Sequence, residues 1–407
     1  MKTKMTSAER ILATCAHEPT DHVPLHLEVH PSYLLYDPAT ACWKDQFERT
    51  DALLELGVDA MVEVWLPEPQ FHPDVSVRSW KETDASPAVL LGKEYETPAG
   101  TLRQVIRETD DLYRWHRINR NTRGPLADLV NGLHLLEDVN PSRSVEFLIK
   151  GPDDLEKMRY LFQPISGDNL DQWTADAVFA KKEAQKRGTV FLARRTYCGS
   201  ALLWLTNAVE SMMTFESDPE YIGEFLQIIH DWQLATLKIA LQIGVDMVTR
   251  FGYYDTPDFW GVKYFDRYLR PLMEEEADLC HESGALLSQQ QSEGVTLLRG
   301  VYKDMKVDIL RDIDPVQGGE DMALLKRELG DSKTLMGGIN CDIMLANATD
   351  DQIAHTVRET IEVMSPGGGF ILHSIPGIYA GVPWDRVLAL VKAWKLHASA
   401  AEERRVS

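Results

Sequence analysis

The sequence is poor in the features that mark several common protein classes. Its five cysteines, Cys15, Cys42, Cys198, Cys280 and Cys341, are odd in number and include no Cys-x-x-Cys pair. That excludes a zinc ribbon and a disulfide framework, and predicts reduced thiols. No run approaches the ~18 apolar residues of a membrane span. Residues 1–10 lack the apolar core of a secretory signal, so a cytoplasmic protein is expected. Positive charge is scarce: 42 Lys and Arg face 63 Asp and Glu, a formal net charge of −21. Nucleic acid and anionic membranes are therefore disfavoured as partners, because their phosphates would be repelled over most of the surface. No Gly-x-Gly-x-x-Gly follows an early strand, and no P-loop lysine, His-Glu-x-x-His or Gly-x-Ser-x-Gly occurs. Nucleotide binding by those loops, zinc-peptidase chemistry and serine hydrolysis are excluded with them.

What is present is a repeated apolar pattern. Thr6 and Glu9 have capping-box spacing and open a first helix with Ile11, Leu12 and Cys15 on one stripe, ending near Glu18-Pro19. Eight short apolar runs follow: Val23–His30, Asp59–Trp65, Thr189–Cys198, Asp246–Tyr254, Ala285–Gln291, Val307–Ile313, Thr334–Asn340 and Gly369–Ile375. Helical periodicity separates most of them, as in Ala201–Phe215, Asp218–Ile243 and Tyr264–Ser283. Strand and helix in alternation predict an α/β fold with a parallel sheet, and eight such units are the number that closes a (β/α)8 TIM barrel. An open doubly wound sheet is the alternative. Gly57, Gly244 and Gly284 stand where a left-handed residue would end a helix and feed the next strand.

The gap from 66 to 188 is too long for one connection. Val75–Trp80, Pro87–Tyr95 and Thr101–Glu108 read as antiparallel strands, the last two joined through Glu96-Thr97-Pro98-Ala99-Gly100. The expected organisation is one barrel domain over 1–407 with a β-hairpin-rich insertion between strands 2 and 3. Within it, Asp110–Arg143 carries Arg114, Arg117, Arg120 and Arg123, and reads as a lid or a solvated connection.

Barrel enzymes place their reacting groups where the strands end. The first run ends with His26, Glu28 and His30 on one face, where residues two apart can share a proton or a metal and residues four apart generally cannot. Glu63 sits in an apolar run and must be paired, protonated or used. The other strand ends supply Trp65; Arg194, Arg195 and Tyr197; Arg250, Tyr253, Tyr254 and Asp255; Gln289 to Gln291; and Asp312, Asn340, Cys341 and His373. Each taken alone reads more readily as a structural residue; their concentration at strand ends is the signal.

These residues and their flanks resemble the uroporphyrinogen decarboxylase superfamily, and within it the cobalamin-dependent methyltransferases. The resemblance rests on Glu9-Arg10…Asp21-His22-Val23-Pro24, Tyr95-Glu96-Thr97-Pro98-Ala99-Gly100-Thr101, Ser217-Asp218-Pro219-Glu220, Gly244-Val245-Asp246, Pro271 with His281-Glu282-Ser283-Gly284, Met336-Gly337-Gly338-Ile339-Asn340 and Pro366-Gly367-Gly368-Gly369-Phe370-Ile371-Leu372, in that order. It implies a TIM barrel and one of two chemistries, tetrapyrrole decarboxylation or methyl transfer involving a corrinoid cobalt. The decarboxylases carry an arginine-rich segment near the first strand; here that region reads His26-Leu27-Glu28-Val29-His30. The thiol methyltransferases carry zinc on His-x-Cys and a later Cys, but Gln289, Gln291 and Pro376 stand at those places.

That departure points to the other half-reaction: demethylation of a small methoxylated compound, an aromatic one by preference, with the methyl group passed to the Co(I) corrinoid of a partner protein. Expected catalytic residues are Glu28, Glu63, His26 and His373. Expected substrate contacts are Trp65, Arg194, Tyr197, Arg250, Tyr253, Tyr254, Asp255, Gln289, Gln291 and Asn340. A metal, zinc included, would draw on His26, Glu28, His30, Glu63, Cys341 or His373, and a homodimer is allowed. The competing readings are a decarboxylase or lyase with Arg194, Arg195 or Arg250 clamping substrate carboxylates, and an inert barrel that binds a corrinoid or tetrapyrrole.

Overall fold

The computed structural model describes residues 4–29, 43–83, 89–109, 141–195, 199–379 and 381–398. Twelve strands lie among them: β1 (Leu25–His26), β2 (Met61–Trp65), β3 (Ser76–Thr83), β4 (Val89–Thr97), β5 (Gly100–Arg107), β6 (Ser144–Glu146), β7 (Val190–Arg195), β8 (Met247–Phe251), β9 (Leu286–Gln290), β10 (Ile309–Ile313), β11 (Thr334–Asn340) and β12 (Phe370–Ile375). The chain divides into two compact units, residues 1–66, 174–196 and 239–407 in the first, and 67–173 and 197–238 in the second.

The first unit holds the parallel sheet, in the order β1-β12-β11-β10-β9-β8-β7-β2. Each of the eight expected runs contains one of these strands. The two edge strands meet at a single parallel bridge, His26 to Asp59, so the ring is only partly closed. Asp59 reinforces that seam: its amide donates to the Leu25 carbonyl at 2.8 Å, and its carboxylate accepts from the Leu25 amide at 3.3 Å. Arg10 of the first helix, Ser7–Cys15, pairs with the same carboxylate and holds Asp21 at 2.6 Å. The capping box of Thr6 and Glu9 that begins this helix is present as expected.

Ile11 from that helix packs with Met61, Val190, Leu192, Met247, Ile309, Met336 and Ile371 in one buried cluster. This is the apolar layer inside the lower barrel, with the first helix under it. Side chains alternate along a strand, so the next inward position lies two residues further on. That step leads from Met61 to Glu63, Leu192 to Arg194, Ile309 to Arg311 and Ile371 to His373. The layer above the apolar one is therefore polar and charged, toward the strand C-termini where barrel enzymes work.

Gly57, Gly244 and Gly284 have φ of 77°, 82° and 75°, as the helix-to-strand junctions require. Two expected helices are more broken than their periodicity suggests. Ala201–Phe215 is two helices, Ser200–Leu205 and Ala208–Ser217, because Asn207 caps the second by accepting from the Val209 and Glu210 amides. In Tyr264–Ser283, a π turn at Phe265–Leu269 precedes the helix Arg270–Glu282.

The second unit contains the antiparallel sheet β3-β4-β5-β6. Its β4–β5 hairpin turns at Thr97–Gly100, with the Thr97 hydroxyl donating to the Gly100 carbonyl at 2.7 Å. Trp80 lies across Gly92, where a Cβ would come within 2.2 Å of the indole, so only glycine fits beneath the ring. The short strand β6 is not apparent in the sequence.

Candidate active site at the barrel strand ends

Glu28, two residues past the His26–Asp59 bridge, is the hub of the polar layer. Arg194 reaches one of its carboxylate oxygens at 3.0 Å, and Arg311 donates to the other. Arg194 also donates to Glu63 at 2.7 Å. Gln46 clamps the Glu63 backbone by accepting from its amide and donating to its carbonyl. The carboxylate expected to be paired, protonated or used is thus paired. Burial alone would raise the Glu28 pKa, but Arg194, Arg311 and His373 hold it well below the usual carboxylate range. The reciprocal effect of Glu28 and Glu63 outweighs burial at Arg194 and raises its pKa well above its ordinary value.

Asp312 enters the same layer through an irregularity. The β10–β11 pairing shifts between Arg311 and Ile313, and Asp312 adopts a left-handed φ of 68°. It is the extra residue of a β-bulge, which re-aims a side chain that regular alternation would turn outward. Its Oδ1 lies 3.0 Å from His373 Nε2, and its Oδ2 accepts from Gln290 Nε2 at 2.7 Å. Gln290 also donates to the Tyr253 hydroxyl at 2.8 Å.

Both histidines are pinned by carbonyls. His373 Nδ1 donates to the His26 carbonyl at 3.0 Å, and His26 Nδ1 donates to the Asp59 carbonyl at 2.9 Å. These bonds orient both rings and turn both Nε2 atoms away from the backbone. The rings stack at 5.3 Å and 17°. Burial first, then His373 and Arg311, keep the pKa of His26 well below its ordinary value, so it is neutral. Its Nε2 is buried and has no hydrogen-bond partner among the described residues.

Glu28, Asp312 and His373 each offer one ligand atom, all within 4.8 Å of one another. Of the expected metal candidates, the cluster unites Glu28 and His373 and adds Asp312 in place of His26 and Glu63. Cys341 is buried elsewhere against the Ile339 carbonyl, and burial pushes its thiol pKa far up, away from the thiolate a metal needs. His30 and Tyr197 lie outside the described residues, as do Cys42, Cys198 and Arg114 to Arg123.

An aromatic row flanks the cluster. Trp65 stacks on Phe251 at 5.3 Å and 11°, and Phe251 meets Tyr253 at 5.5 Å and 35°. The Arg194 guanidinium lies 5.8 Å from the Trp65 ring centre and 5.5 Å from that of Phe251. Trp65 remains 44% exposed. Burial, with Asp312, Tyr379 and Glu28 adding to it, raises the Tyr253 phenol well above its usual range.

The remaining expected contacts fall into other networks. Arg250 pairs with the buried Glu276 at 2.5 Å and donates to Gln289 at 2.7 Å, with Asp255 3.9 Å away. Tyr302 donates to Gln291, and Asn340 bridges Asp314 and Gln317 at 2.8 Å each. Tyr254 packs edge-on against Phe259. Gln290, between the two expected glutamines, is the one that joins the cluster. Neither Arg311 nor the choice of Gln290 among its neighbours is legible in the sequence, because alternation cannot be phased from an apolar run alone.

A family model described as uroporphyrinogen decarboxylase (URO-D) matches residues 204–397, just under half of the chain. No curated protein matches the sequence. Among solved structures, the chain is similar to a methyltransferase from Methanosarcina mazei, at 16% identity and a TM-score of 0.59 over 97% of this chain and 99% of that one. It also matches a B12-independent methionine synthase from Shewanella sp. W3-18-1, at 14% identity and a TM-score of 0.38 over 60% and 68% of the two chains. At 16% identity the likeness to the Methanosarcina mazei protein is one of fold, and the chain has the uroporphyrinogen decarboxylase-like fold.

Proposed function

We propose that this chain demethylates a small methoxylated compound, an aromatic one by preference, and passes the methyl group to the Co(I) corrinoid of a partner protein. The observation that carries this reading is the pairing of a Glu28–Asp312–His373 cluster with the Trp65–Phe251–Tyr253 row at the strand ends of this fold. Aromatic faces suit an arene, and the polar cluster suits the oxygen from which the methyl group departs.

The corrinoid supplies the nucleophile that accepts the methyl group. The chain's own task is to hold the donor in line and to stabilise charge on the leaving oxygen. Glu28 and Glu63 fix Arg194 beside the aromatic row, where it supplies positive potential.

One imidazole and two carboxylates are a donor set suited to zinc or another divalent ion. His373 is anchored through its other nitrogen, as ligating histidines usually are. The residues present therefore fit a divalent cation held by Glu28, Asp312 and His373, which would act as a Lewis acid on the ether oxygen.

The decarboxylase reading is less well supported. Arg194 is engaged by two carboxylates and Arg250 by Glu276, so neither cation is held in reserve for a substrate carboxylate. The Arg195 side chain is outside the described atoms.

The direct test is incubation of the purified protein with chemically reduced cobalamin and a panel of methoxyarenes. Methylcobalamin and the corresponding phenol should appear together. Carbon dioxide released from carboxylated analogues without methyl transfer would establish the decarboxylase instead, and tight corrinoid binding without turnover would establish the inert barrel.

A further inference from the structure

We infer that the Tyr253 hydroxyl donates the hydrogen bond that receives the leaving oxygen, with Gln290 and Asp312 as the positioning residues that aim it. The inference rests on the demethylase reading and adds to it the group that meets the phenoxide.

The argument starts from donor bookkeeping. An ionised carboxylate only accepts, so the contact between Asp312 Oδ2 and the Gln290 amide must be made by the amide nitrogen. That fixes which way the amide is turned. The same nitrogen carries a second N–H, which goes to the Tyr253 oxygen at 2.8 Å. Tyr253 is therefore the acceptor in this contact, and its own O–H proton is not spent there.

Asp312 is itself held from behind. His373 faces its other oxygen, the His26 carbonyl anchors His373, and the Asp59 carbonyl anchors His26. This series of oriented contacts runs from the barrel seam to Tyr253 and leaves one donor at its end. The Tyr253 ring also ends the aromatic row that begins at the half-exposed Trp65. An arene lying along that row brings a ring oxygen to the hydroxyl.

In the step itself, the C–O bond breaks with its electron pair remaining on oxygen. The methyl group is taken up with an electron pair from the reduced cobalt. The negative charge that appears on oxygen meets the Tyr253 O–H, and the hydrogen bond strengthens as the charge grows.

The test uses 4-nitrophenol, whose ionisation is visible in its absorbance, bound to the full chain. Its ionisation midpoint should lie lower on the wild type than in free solution. On Tyr253→Phe it should lie about one pH unit higher than on the wild type, the equivalent of a roughly tenfold loss of phenolate preference. Gln290→Leu, which keeps the hydroxyl but removes its aim, should fall between the two. Equal midpoints on wild type and Tyr253→Phe, no lowering on the wild type, or no binding by the wild type would each overturn the inference. Should Tyr253→Phe fail to fold, the wild-type midpoint against free solution still decides. Turnover separates the two levels. Midpoints that split as expected, in a protein that demethylates no methoxyarene, leave the donor assigned and the demethylase reading lost. Turnover with unsplit midpoints does the reverse.

Discussion

Arg311 and Asp312 are consecutive in the chain, yet both side chains face the same interior cluster. Arg311 holds Glu28, while Asp312 faces His373 and Gln290. Regular β structure would send neighbours to opposite faces. The bulge at Asp312, with its left-handed backbone, sets this adjacency aside from the rule.

A separation of fold from chemistry follows at that residue. Glycine adopts a φ of 68° without the strain an L-residue meets, so Asp312→Gly should keep the protein folded, with thermal stability close to wild type. It should also lower methyl transfer at least ~10²-fold, the scale of losing a positioned acid-base or ligand group. Thermal unfolding alongside methylcobalamin formation measures both. Loss of folding without a disproportionate loss of rate would return Asp312 to a purely structural role.

Glu28 and Glu63 are expected to differ. Glu28 joins Arg194, Arg311 and His373, whereas Glu63 joins Arg194 alone among them. Glu28→Gln should therefore cost ~10²-fold or more in turnover and Glu63→Gln less. Steady-state rates of the two variants check the order, and near-wild-type rates in both would remove the proposed roles.

Metal content gives an independent measurement. Protein purified without chelator should carry about one divalent ion per chain on Glu28, Asp312 and His373, the minimum that one such donor set can hold. His373→Ala should lose it, and Cys341→Ser should not. Elemental analysis of the three proteins distinguishes this from an ion held by the buried thiol.

Asp21 offers a pH test away from the cluster. Burial opposes its charge, but Arg10 and the Lys4 and Met5 amides hold its folded-state pKa far below the ordinary 3.8. The unfolded chain therefore takes up the proton first as pH falls. The stabilisation is complete above pH 3.8 and is lost progressively below it, down through the depressed pKa. Asp21→Asn should destabilise the protein at neutral pH by about 1–2 kcal/mol and flatten the acid side of its stability curve. Urea midpoints at neutral and acid pH measure both effects.

The fold was legible because the eight barrel strands announce themselves as apolar runs, and because glycines such as Gly57 and Gly284 mark where helices stop. Glu63, Arg194 and His373 were legible for the same reason, as polar residues ending those runs. Asp312 and Gln290 were harder. One depends on a bulge that adds a residue to the count, and the other on a strand phase that swaps it with Gln289 and Gln291. Asn340 and Arg250 look equally chemical in the sequence. Their buried partners Asp314 and Glu276, distant along the chain, make them part of the scaffold.

The seam at Asp59 bears on how the molecule breathes. The other neighbouring strands of the ring are joined by ladders of two or more residue pairs, while β1 and β2 share one bridge and a few contacts to Asp59. Local opening concentrates where backbone pairing is thinnest. The amide hydrogens of Leu25 and Asp59 should therefore exchange with solvent ahead of those in β11 and β12. Each such opening frees the carbonyl that fixes His26, and with it the support for His373. Arg10, gripping Asp59 from the first helix, thus sets how often the Glu28–Asp312–His373 cluster loosens, from a position that never touches it.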